Sequence, residues 1–464
     1  MKTIRLLMAA MLFSTAASAQ TYVMTSDAPN VLVVGSDASS ELDVYEYSTP
    51  EEVKAHIRAK RKGDRRMKIT ATEQLCANDH VGEYQGTEAP LLIISQKDNK
   101  FAFSMGGFIN LRTSYDFDGT VDNIDFVTAD IPISRSYDNR QQLMMDASTS
   151  RLYFHGVANS RAVGPIDVYV DMDFRGNTGY NDSGITNSYT PRLRRAYVSL
   201  LGFTLGRDFT TFTDVASIPT TIDFQGPNAV GFNYATLLRY SYSGCNDRFG
   251  MAVALEQPNV SASYGTSGEF EAIPQRVPDG VAFLEYKMGE NRQHHIRATG
   301  VIRDMYSYNA TTGNNTSLVG WGAQLSGNIM PCRWLDIMFS GTYGEGITPY
   351  IQDLIGSGLD FTPNPENTTS LQTMPMYAWQ AAACINFTKR LSMTGGYSTV
   401  QVEKKNGYYA ADEYKEGQYI FGNLFYDVTP RFKIAGEYLY GSRENMNSWD
   451  NHANRVSVMG QFSF

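Results

Sequence analysis

The residues of this chain that could do chemistry are arginines and aspartates that recur at alternate positions. In the segment 166–175, Asp167, Asp171, Asp173 and Arg175 share one parity, and five apolar residues share the other. Successive side chains of a β-strand point to opposite faces, so this spacing predicts a strand with one charged face. Arginine stays charged and donates parallel hydrogen bonds, which suits it to carboxylate and phosphate groups.

Eight arginines are candidates for a solute-binding face. They are Arg112, Arg151, Arg175, Arg194, Arg207, Arg239, Arg297 and Arg303. Two positions conflict with simple alternation, because Arg194 and Arg195 are adjacent and Arg207 shares its parity with Phe203 and Leu205. A β-bulge, or burial at a subunit interface, would resolve these conflicts. The competing interpretation is that the arginines pair with aspartates and only keep the surface polar and rigid.

Recognisable catalytic and metal-binding motifs are absent from the sequence. It contains no G-x-S-x-G, no H-E-x-x-H and no glycine-rich phosphate loop, and the His294-His295 pair has no suitable carboxylate pattern nearby. The cysteines, which lack the spacing of a zinc site, are Cys76, Cys245, Cys332 and Cys384. A 76–245 or a 245–332 disulfide remains open. We expect a protein that is not an enzyme and has no cofactor or bound metal.

The elements that position the charges are strands with the same alternation. We expect sixteen, an even number, as single-chain bacterial barrels require. They are predicted to begin near Phe101, Arg151, Ile166, Leu193, Phe203, Thr236, Phe249, Val281, His294, Leu318, Trp334, Met376, Leu391, Gln418, Phe432 and Asn454.

The connections between these strands alternate between short turns and segments of roughly ten to thirty residues, as in outer-membrane barrels. A soluble sandwich has no reason to keep every second connection short. Aromatic residues at strand ends, including Tyr438, Tyr440 and the C-terminal Phe464, are typical of the aromatic girdles at the membrane surfaces. We therefore predict an all-β fold, a sixteen-stranded antiparallel transmembrane β-barrel formed by residues 100–464.

The N-terminal part of the chain is organised differently. Residues 1–19 have the charged start, apolar centre and Ala-Ser-Ala site of a signal peptide. Residues 20–99 lack sustained alternation and are predicted to form a small periplasmic segment containing a short helix, with Thr49 as N-cap and Pro50 following it. We expect both termini in the periplasm and the barrel in the bacterial outer membrane.

Barrels of about sixteen strands leave an aqueous channel, and rings of arginine favour anions in such a channel. The third long connection begins with GRDFTTFTDVASIPTTIDFQGP, and we expect it to fold inward and narrow the pore. Its acidic residues Asp208, Asp214 and Asp223 would then oppose basic wall residues. A loop lying outside as a cap is the alternative. The net charge of -9 is concentrated partly in the first long connection, where acidic groups could bridge to lipopolysaccharide through cations.

Several sequence blocks carry a resemblance to a known family. SRLYFHG, VDMDFRG, PRLRRAYVSLLGFTLGRDFTTFTD and TIDFQGP resemble, in the same order, blocks of the DcaP-like trimeric porin family, over roughly residues 101–243. The resemblance implies a homotrimeric porin for small solutes that are preferably negatively charged, such as dicarboxylates. Arg151, Arg194, Arg207 and Asp214 lie in the matching blocks. The family's longer periplasmic coiled coil has no counterpart here, which puts helical trimerisation in doubt.

Together these features predict an outer-membrane porin that forms a passive channel for small hydrophilic solutes and prefers anions. Its expected partners are small anionic solutes, outer-membrane lipid, lipopolysaccharide and two further copies of the chain, with no nucleic acid. The alternative is a structural or adhesive barrel that binds through its long loops and has a closed lumen.

Overall fold

Antiparallel strands make up nearly all of the structure, a computed structural model that describes residues 19–22, 30–34, 71–76, 92–96, 100–119, 121, 123–134, 141–176, 189–265, 269–290, 292–408 and 410–464. The elements before the barrel are β1 (Ala19–Tyr22), β2 (Asn30–Val34), the helix α1 (Ala71–Cys76) and β3 (Leu92–Gln96). No helix among the described residues is long and apolar enough to cross a membrane.

Sixteen antiparallel strands form a closed barrel. In chain order they are β4 (Phe101–Asp118), β5 (Gln142–Asp146) continued by β6 (Arg151–Ser160), β7 (Gly164–Asp173), β8 (Arg192–Leu200), β9 (Phe203–Phe209), β10 (Tyr234–Gly244), β11 (Phe249–Glu256), β12 (Phe270–Ala272) continued by β13 (Asp279–Met288), β14 (His294–Asn309), β15 (Asn314–Cys332), β16 (Leu335–Glu345), β19 (Pro375–Asn386), β20 (Leu391–Val402), β21 (Tyr414–Thr429), β22 (Phe432–Asn445) and β23 (Asp450–Ser463). A separate hairpin consists of β17 (Phe361–Asn364) and β18 (Asn367–Thr373).

Pairing between the last and the first barrel strand closes the barrel. Arg455 of β23 lies opposite Asp116 of β4, and Ser463 lies opposite Phe108. The terminal residue Phe464 exchanges backbone hydrogen bonds of 2.9 and 3.0 Å with Gly107. The C-terminal aromatic residue therefore completes the seam of the barrel.

Each predicted strand start lies within four residues of an observed start, which confirms the sixteen-strand prediction. One feature of the prediction is wrong. Two of the connections expected to be long are short: residues 310–313, between β14 and β15, and residues 446–449, between β22 and β23. Here the strands extend by four residues through polar sequence, because cross-strand hydrogen bonds do not require apolar side chains.

Seven short turns lie at one end of the barrel, which we call the turn end. The remaining connections, including the two short ones at 310–313 and 446–449, lie at the opposite loop end. Loop 1 comprises residues 119–141, loop 2 residues 174–191, loop 3 residues 210–233, loop 4 residues 257–269, loop 6 residues 346–374 and loop 7 residues 403–413. Short 3-10 helices occur in loops 1, 3 and 6, at Thr128–Asp130, Val215–Ser217, Thr348–Tyr350 and Gln352–Leu354.

The two faces of the wall differ as the alternation requires. On β4, Ile109 and Leu111 are exposed on the outer face, whereas Asn110 and Arg112 between them are buried on the inner face. Exposed aromatic residues occur at both ends of the outer face: at the turn end Phe203, Tyr240, Trp334, Phe432 and Phe462, and toward the loop end Trp321, Tyr343, Trp379, Tyr438 and Trp449. This distribution is typical of a barrel that spans a bilayer.

The N-terminal elements attach to the seam. Strand β3 pairs with Ala102–Met105 of β4, in the position that β23 leaves empty after Phe464. Helix α1 packs against the inner faces of β4 and β6, where Leu75 is buried with Ile93, Ala102 and Val157. The helix predicted after Thr49 and most of the predicted signal peptide lie outside the described residues. Cys245, Cys332 and Cys384 are free thiols, so the 245–332 disulfide is not formed.

Candidate pore and its constriction

Loop 3 leaves the wall at the end of β9 and is anchored to a glutamate of β11. Glu256 accepts hydrogen bonds from the Thr210 hydroxyl at 2.5 Å and from the Thr211 backbone nitrogen at 2.6 Å. The Thr211 carbonyl in turn accepts a hydrogen bond from Arg297 of β14. These contacts direct the chain into the lumen.

The next part of loop 3 contacts two further wall strands through Asp214. Its carboxylate lies 2.9 Å from the His295 ring nitrogen of β14 and accepts a 2.5 Å hydrogen bond from Ser326 of β15. All three side chains are buried. The basic wall residue that Asp214 faces is the histidine His295, and a serine of the adjacent strand also binds its carboxylate.

The tip of loop 3 reaches the far wall. Glu437 of β22 accepts backbone hydrogen bonds from Ile222 at 2.9 Å and Asp223 at 2.8 Å, and Tyr419 of β21 donates to the Asp223 carboxylate at 3.0 Å. Asp223 also lies 3.8 Å from Arg112. Loop 3 thus crosses the lumen between opposite walls, which confirms the expectation that it folds inward.

Loop 6 also folds inward and shares an apolar core with loop 3. The buried residues of loop 6 in this core are Ile347, Tyr350, Ile351, Leu354, Leu359 and Met374. Phe212 and Ala229 of loop 3 and inner-face residues of the wall such as Val301 and Val400 complete it. The lumen beside β13–β20 is therefore occupied by packed side chains at the loop end.

A buried carboxylate joins three loops in this region. Asp353 of loop 6 accepts hydrogen bonds from Thr128 of loop 1 at 2.5 Å and from Tyr414 at 2.7 Å, and its backbone nitrogen donates to Asn228 of loop 3 at 3.2 Å. Burial raises the pKa of the Asp353 carboxyl above its usual range. The three loops therefore form one connected constriction.

Four of the predicted pore-lining arginines are no more than 2% exposed, and they are Arg112, Arg151, Arg194 and Arg303. Arg303 donates to Asp279 of the wall at 3.0 Å, to Asp360 of loop 6 at 2.9 Å and to the Gly346 carbonyl at 2.7 Å. Arg112 donates to Asp125 of loop 1 at 3.1 Å. Arg112, Arg194 and Arg303 bind the protein's own carboxylates, and all four arginines present little surface to a solute.

The adjacent Arg194 and Arg195 are accommodated by a β-bulge, one of the two solutions that the sequence allowed. The register of β7 and β8 shifts between Asp171 and Met172, so that Arg195 lies opposite Asp171 and Arg194 is the extra residue. The two residues of such a bulge can both point inward. Both guanidinium groups lie within 3.4 Å of the Asp171 carboxylate.

Arg207 does not face the lumen. It lies opposite Ala196 and Thr236, and the neighbouring pair Leu205 and Leu238 is exposed on the outer face. The prediction that Arg207 lines the pore is therefore wrong. Arg207 shares its parity with Phe203, and this spacing correctly indicated that its side chain points outward. Its guanidinium carbon lies 5.5 Å from the Tyr234 ring centre at the end of β10.

Three of the arginines on the inner face are partly exposed and are paired with an aspartate. Arg192 and Asp173 are 31% and 0% exposed, Arg239 and Asp208 are 18% and 10% exposed, and Arg175 and Asp125 are 13% and 10% exposed. In each pair the arginine side chain is exposed to a larger fraction than the aspartate side chain. Phe224 of loop 3 lies beside two of them, 4.6 Å from Arg175 and 5.7 Å from Arg192.

Arg297 is held differently. Its guanidinium packs 3.6 Å from the Phe283 ring centre, and it donates to the Thr211 carbonyl and to the Thr299 hydroxyl. Within the described part of the chain it forms no ion pair with a carboxylate. Its positive charge at the root of loop 3 is therefore not neutralised by a direct partner.

Sequence reasoning missed several residues of the site and misassigned one. Asp208, assigned to the loop, lies in strand β9. Arg192 is the most exposed of the paired arginines. The sequence PRLRR could have indicated it, because Arg192 has the same parity as Arg194 and lies in the same strand. Glu256 and Glu437 carried no sequence signal for their role, because each receives loop 3 from a strand distant in the chain.

Comparison with known proteins agrees with this architecture. A model of the family "DcaP outer membrane protein" matches residues 84–342. The crystal structure of the outer membrane channel DcaP of Acinetobacter baumannii has a TM-score of 0.67 and 18% identity, covering 80% of this chain and 99% of that one. Salmonella typhi OmpF, solved in complex with daunomycin, has a TM-score of 0.51 and 12% identity, covering 79% of this chain and 99% of that one.

In vitro folded OmpT, an outer membrane protein of Vibrio cholerae, has a TM-score of 0.50 and 12% identity, covering 79% of this chain and 99% of that one. At these identities the likeness concerns the fold. No match was found among curated proteins. Because the family model spans more than half of the chain, this outer-membrane β-barrel with a porin fold belongs to the DcaP outer membrane protein family.

Proposed function

We propose that the protein is a passive channel for small hydrophilic solutes and that it prefers anions, such as dicarboxylates. The observation that carries the preference is the unequal exposure within the three lumenal ion pairs. A solute passing Arg192, Arg239 and Arg175 meets guanidinium groups, while the partner aspartates lie behind them. Such groups bind carboxylates by charge-assisted hydrogen bonds.

The test is single-channel conductance in a planar bilayer, followed by the reversal potential in a salt gradient. We expect steady conductance with an anion-biased reversal potential. The bias should fall in Arg192→Gln and Arg239→Gln and should persist in a control, Arg276→Gln, which removes a cation located outside the lumen at Tyr306. A cation bias in the wild type would contradict the anion preference and leave the channel function intact.

A closed structural or adhesive barrel is the second candidate, and the apolar core that loops 3 and 6 form inside the lumen favours it. The same measurement separates the two. Correctly folded protein that gives no conductance would support the closed barrel, with the outer loops as its binding surface.

We also propose that the turn end and both termini face the periplasm, as short turns do in outer-membrane barrels. Trypsin added to intact cells should then leave the turn-end residues Lys389 and Arg390 uncut, and should cut there once the outer membrane is opened. Cleavage at these two residues in intact cells would reverse the proposed orientation.

We further propose a homotrimer whose subunits meet along β8, β9 and β11. These strands have nine, seven and eight residues. A tilted membrane-spanning strand needs about 9–11 residues, so this side of the wall is short for a lipid-facing surface. Contact with another copy of the chain would cover it and would also cover the outward-facing Arg207.

A further inference from the structure

The turn end carries a set of cationic side chains that the pore does not use. Six of the seven short turns contain at least one lysine or arginine. Those that are exposed are Arg161, Arg248, Arg333, Lys389 and Arg390. The same turns contain two acidic residues, Asp247 and Glu290, so the rim is positively charged although the chain as a whole carries -9.

The exposed cations of the turn end differ from the lumenal arginines in their partners. In the part of the chain that the structure describes, none of the five exposed cations forms an ion pair with a carboxylate, whereas every partly exposed lumenal arginine paired above does. An exposed cation without a partner is free to bind an external anion.

The turns that carry the cations are fixed in place. The carbonyl of Arg390 accepts a 2.8 Å hydrogen bond from Asp427 of the next strand, and that of Arg248 accepts a 2.7 Å hydrogen bond from Lys287. Between the neighbouring turns 333–334 and 387–390, the Trp334 carbonyl accepts a 2.8 Å hydrogen bond from Asn386. Arg333, Lys389 and Arg390 are thereby held on adjacent turns of one rigid rim.

Exposed aromatic residues lie beside these cations. Trp334 follows Arg333 directly and is 54% exposed, and Phe387, in the same turn as Lys389, is 55% exposed. Aromatic rings at this level of a barrel lie at the boundary between hydrocarbon and headgroups. Long basic side chains next to such rings reach the headgroup layer.

We propose that the turn-end rim binds the phosphate groups of anionic phospholipids in the leaflet that surrounds it. Charge complementarity selects this partner, because the cations occur where the aromatic residues place the headgroups of the bilayer. The turn without a cation, Leu201–Gly202, joins β8 to β9, in the sector that we assign to subunit contact and not to lipid. The lipid proposal itself does not depend on the protein being a channel.

Tryptophan fluorescence can test this directly, because Trp334 is the only one of the four tryptophans at the turn end. The full chain with Trp321, Trp379 and Trp449 changed to phenylalanine would be folded into vesicles containing brominated phosphatidylglycerol or brominated phosphatidylcholine. We expect Trp334 quenching to show a preference of about fivefold or more for phosphatidylglycerol, roughly the factor that one headgroup-level cation contributes. The preference should decrease with added salt.

The variant Arg333→Gln, Lys389→Gln, Arg390→Gln should abolish this preference. The matched control Arg276→Gln, Lys404→Gln, Lys415→Gln removes the same charge from the loop end and should retain it. Folding would be checked by heat-shifted electrophoretic mobility, and Arg333→Gln alone replaces the triple variant if that variant does not fold.

Three outcomes would overturn the proposal. They are an absence of preference in the parent protein, a preference that persists in the turn-end variants, and an equal loss in the loop-end control. Soluble polyglutamate could alter Trp334 emission while phosphatidylglycerol is not preferred over phosphatidylcholine. In that case the rim binds an acidic polymer and the lipid proposal is wrong.

Discussion

At the residue scale, the buried arginines act as tethers within the protein. Arg303 connects Asp279 of the wall to Asp360 of loop 6, and all three side chains are at most 3% exposed. Removing one member of a buried ionic network leaves the remaining charges without compensation, at a cost of about 3–5 kcal/mol.

Arg303→Met should therefore lower the unfolding free energy by about 3–5 kcal/mol, measured by urea denaturation of the protein in vesicles. Arg276→Met provides the control, because its guanidinium packs on an aromatic ring and forms no ion pair in the described structure. We expect the control to change stability by less than about 0.5 kcal/mol, as surface substitutions usually do. Equal effects of the two substitutions would contradict the tether role.

Alternation in the sequence predicted the direction of most arginines but not their exposure. It placed Arg112 and Arg303 on the inner face correctly, yet both are covered by loops that come from elsewhere in the chain. Exposure depends on where loops 1, 3 and 6 settle, and the loop carboxylates that bind Arg112 and Arg303 lie 13 and 57 positions further along the chain. Alternation between neighbouring residues does not predict such contacts. The bulge at Arg194 was one of two solutions that the sequence left open, because parity alone cannot show which residue is displaced.

At the element scale, loop 3 is held at its start by Glu256 and at its tip by Glu437, both glutamates of the wall. Each carboxylate accepts two hydrogen bonds from loop 3. The backbone N–H groups of Thr211, Ile222 and Asp223 would otherwise be buried without partners. A buried backbone donor left unsatisfied costs about 1–3 kcal/mol.

Glu437→Ala should release the tip of loop 3 and increase fluctuations of the open-channel current, because Ile222 and Asp223 each lose a hydrogen-bond acceptor. The control Glu444→Ala removes a carboxylate of the same strand that pairs with Lys415. Its current noise should match that of the wild type. If Glu437→Ala shows the same noise as the control, the tip of loop 3 is held by other contacts.

Strand β3 covers an edge of β4 that the last barrel strand leaves unpaired. Ile93 lies directly opposite Ser104, and both side chains are buried on the inner face. Because Gly107 exchanges hydrogen bonds with Phe464, the alternating pattern makes Ile93 and Ser104 a non-hydrogen-bonded pair, whose side chains are close together.

Ile93→Cys with Ser104→Cys should form a disulfide under mild oxidation, in a chain whose native cysteines are changed to serine. Trypsin cleavage at Lys97 or Lys100 would then leave two fragments that separate only after reduction. The diagonal pair Ile93→Cys with Ala102→Cys is the control and should not cross-link efficiently, since diagonal neighbours lie about 7–8 Å apart. If only the diagonal pair cross-links efficiently, β3 pairs with β4 in a different register from the one described here.

The strands themselves were the best-predicted elements, because their alternation is a local property of the sequence. The short connections at 310–313 and 446–449 were not predicted, since polar residues there continue the ladders by backbone hydrogen bonds. Helix α1 and strand β3 were also missed as elements. Each depends on contact with β4 and not on a repeating pattern of its own.

At the scale of the whole molecule, the wall is uneven in height. Strands β4 and β15 have 18 and 19 residues, whereas β9 has seven. We call the side of the wall formed by the short strands β8, β9 and β11 the low side. In a barrel embedded as a single subunit, the low side would face hydrocarbon that these strands cannot fully span. Association through the low side removes this mismatch, and this is the physical argument for the proposed trimer.

Leu205→Glu with Leu238→Glu places two carboxylates on neighbouring outer positions of the low wall. If this surface is buried between subunits, the pair of charges should convert the trimer to monomers in mild detergent, as measured by light scattering. The matched control Leu325→Glu with Val319→Glu changes exposed outer residues of the tall strand β15 and should keep the trimer, although insertion into vesicles becomes less favourable. Monomers from the control and trimers from the low-wall variant would place the subunit contact on the tall side. If the wild-type protein is a monomer in mild detergent, subunit contact does not explain the short strands. The bilayer would then have to be thinner around β9.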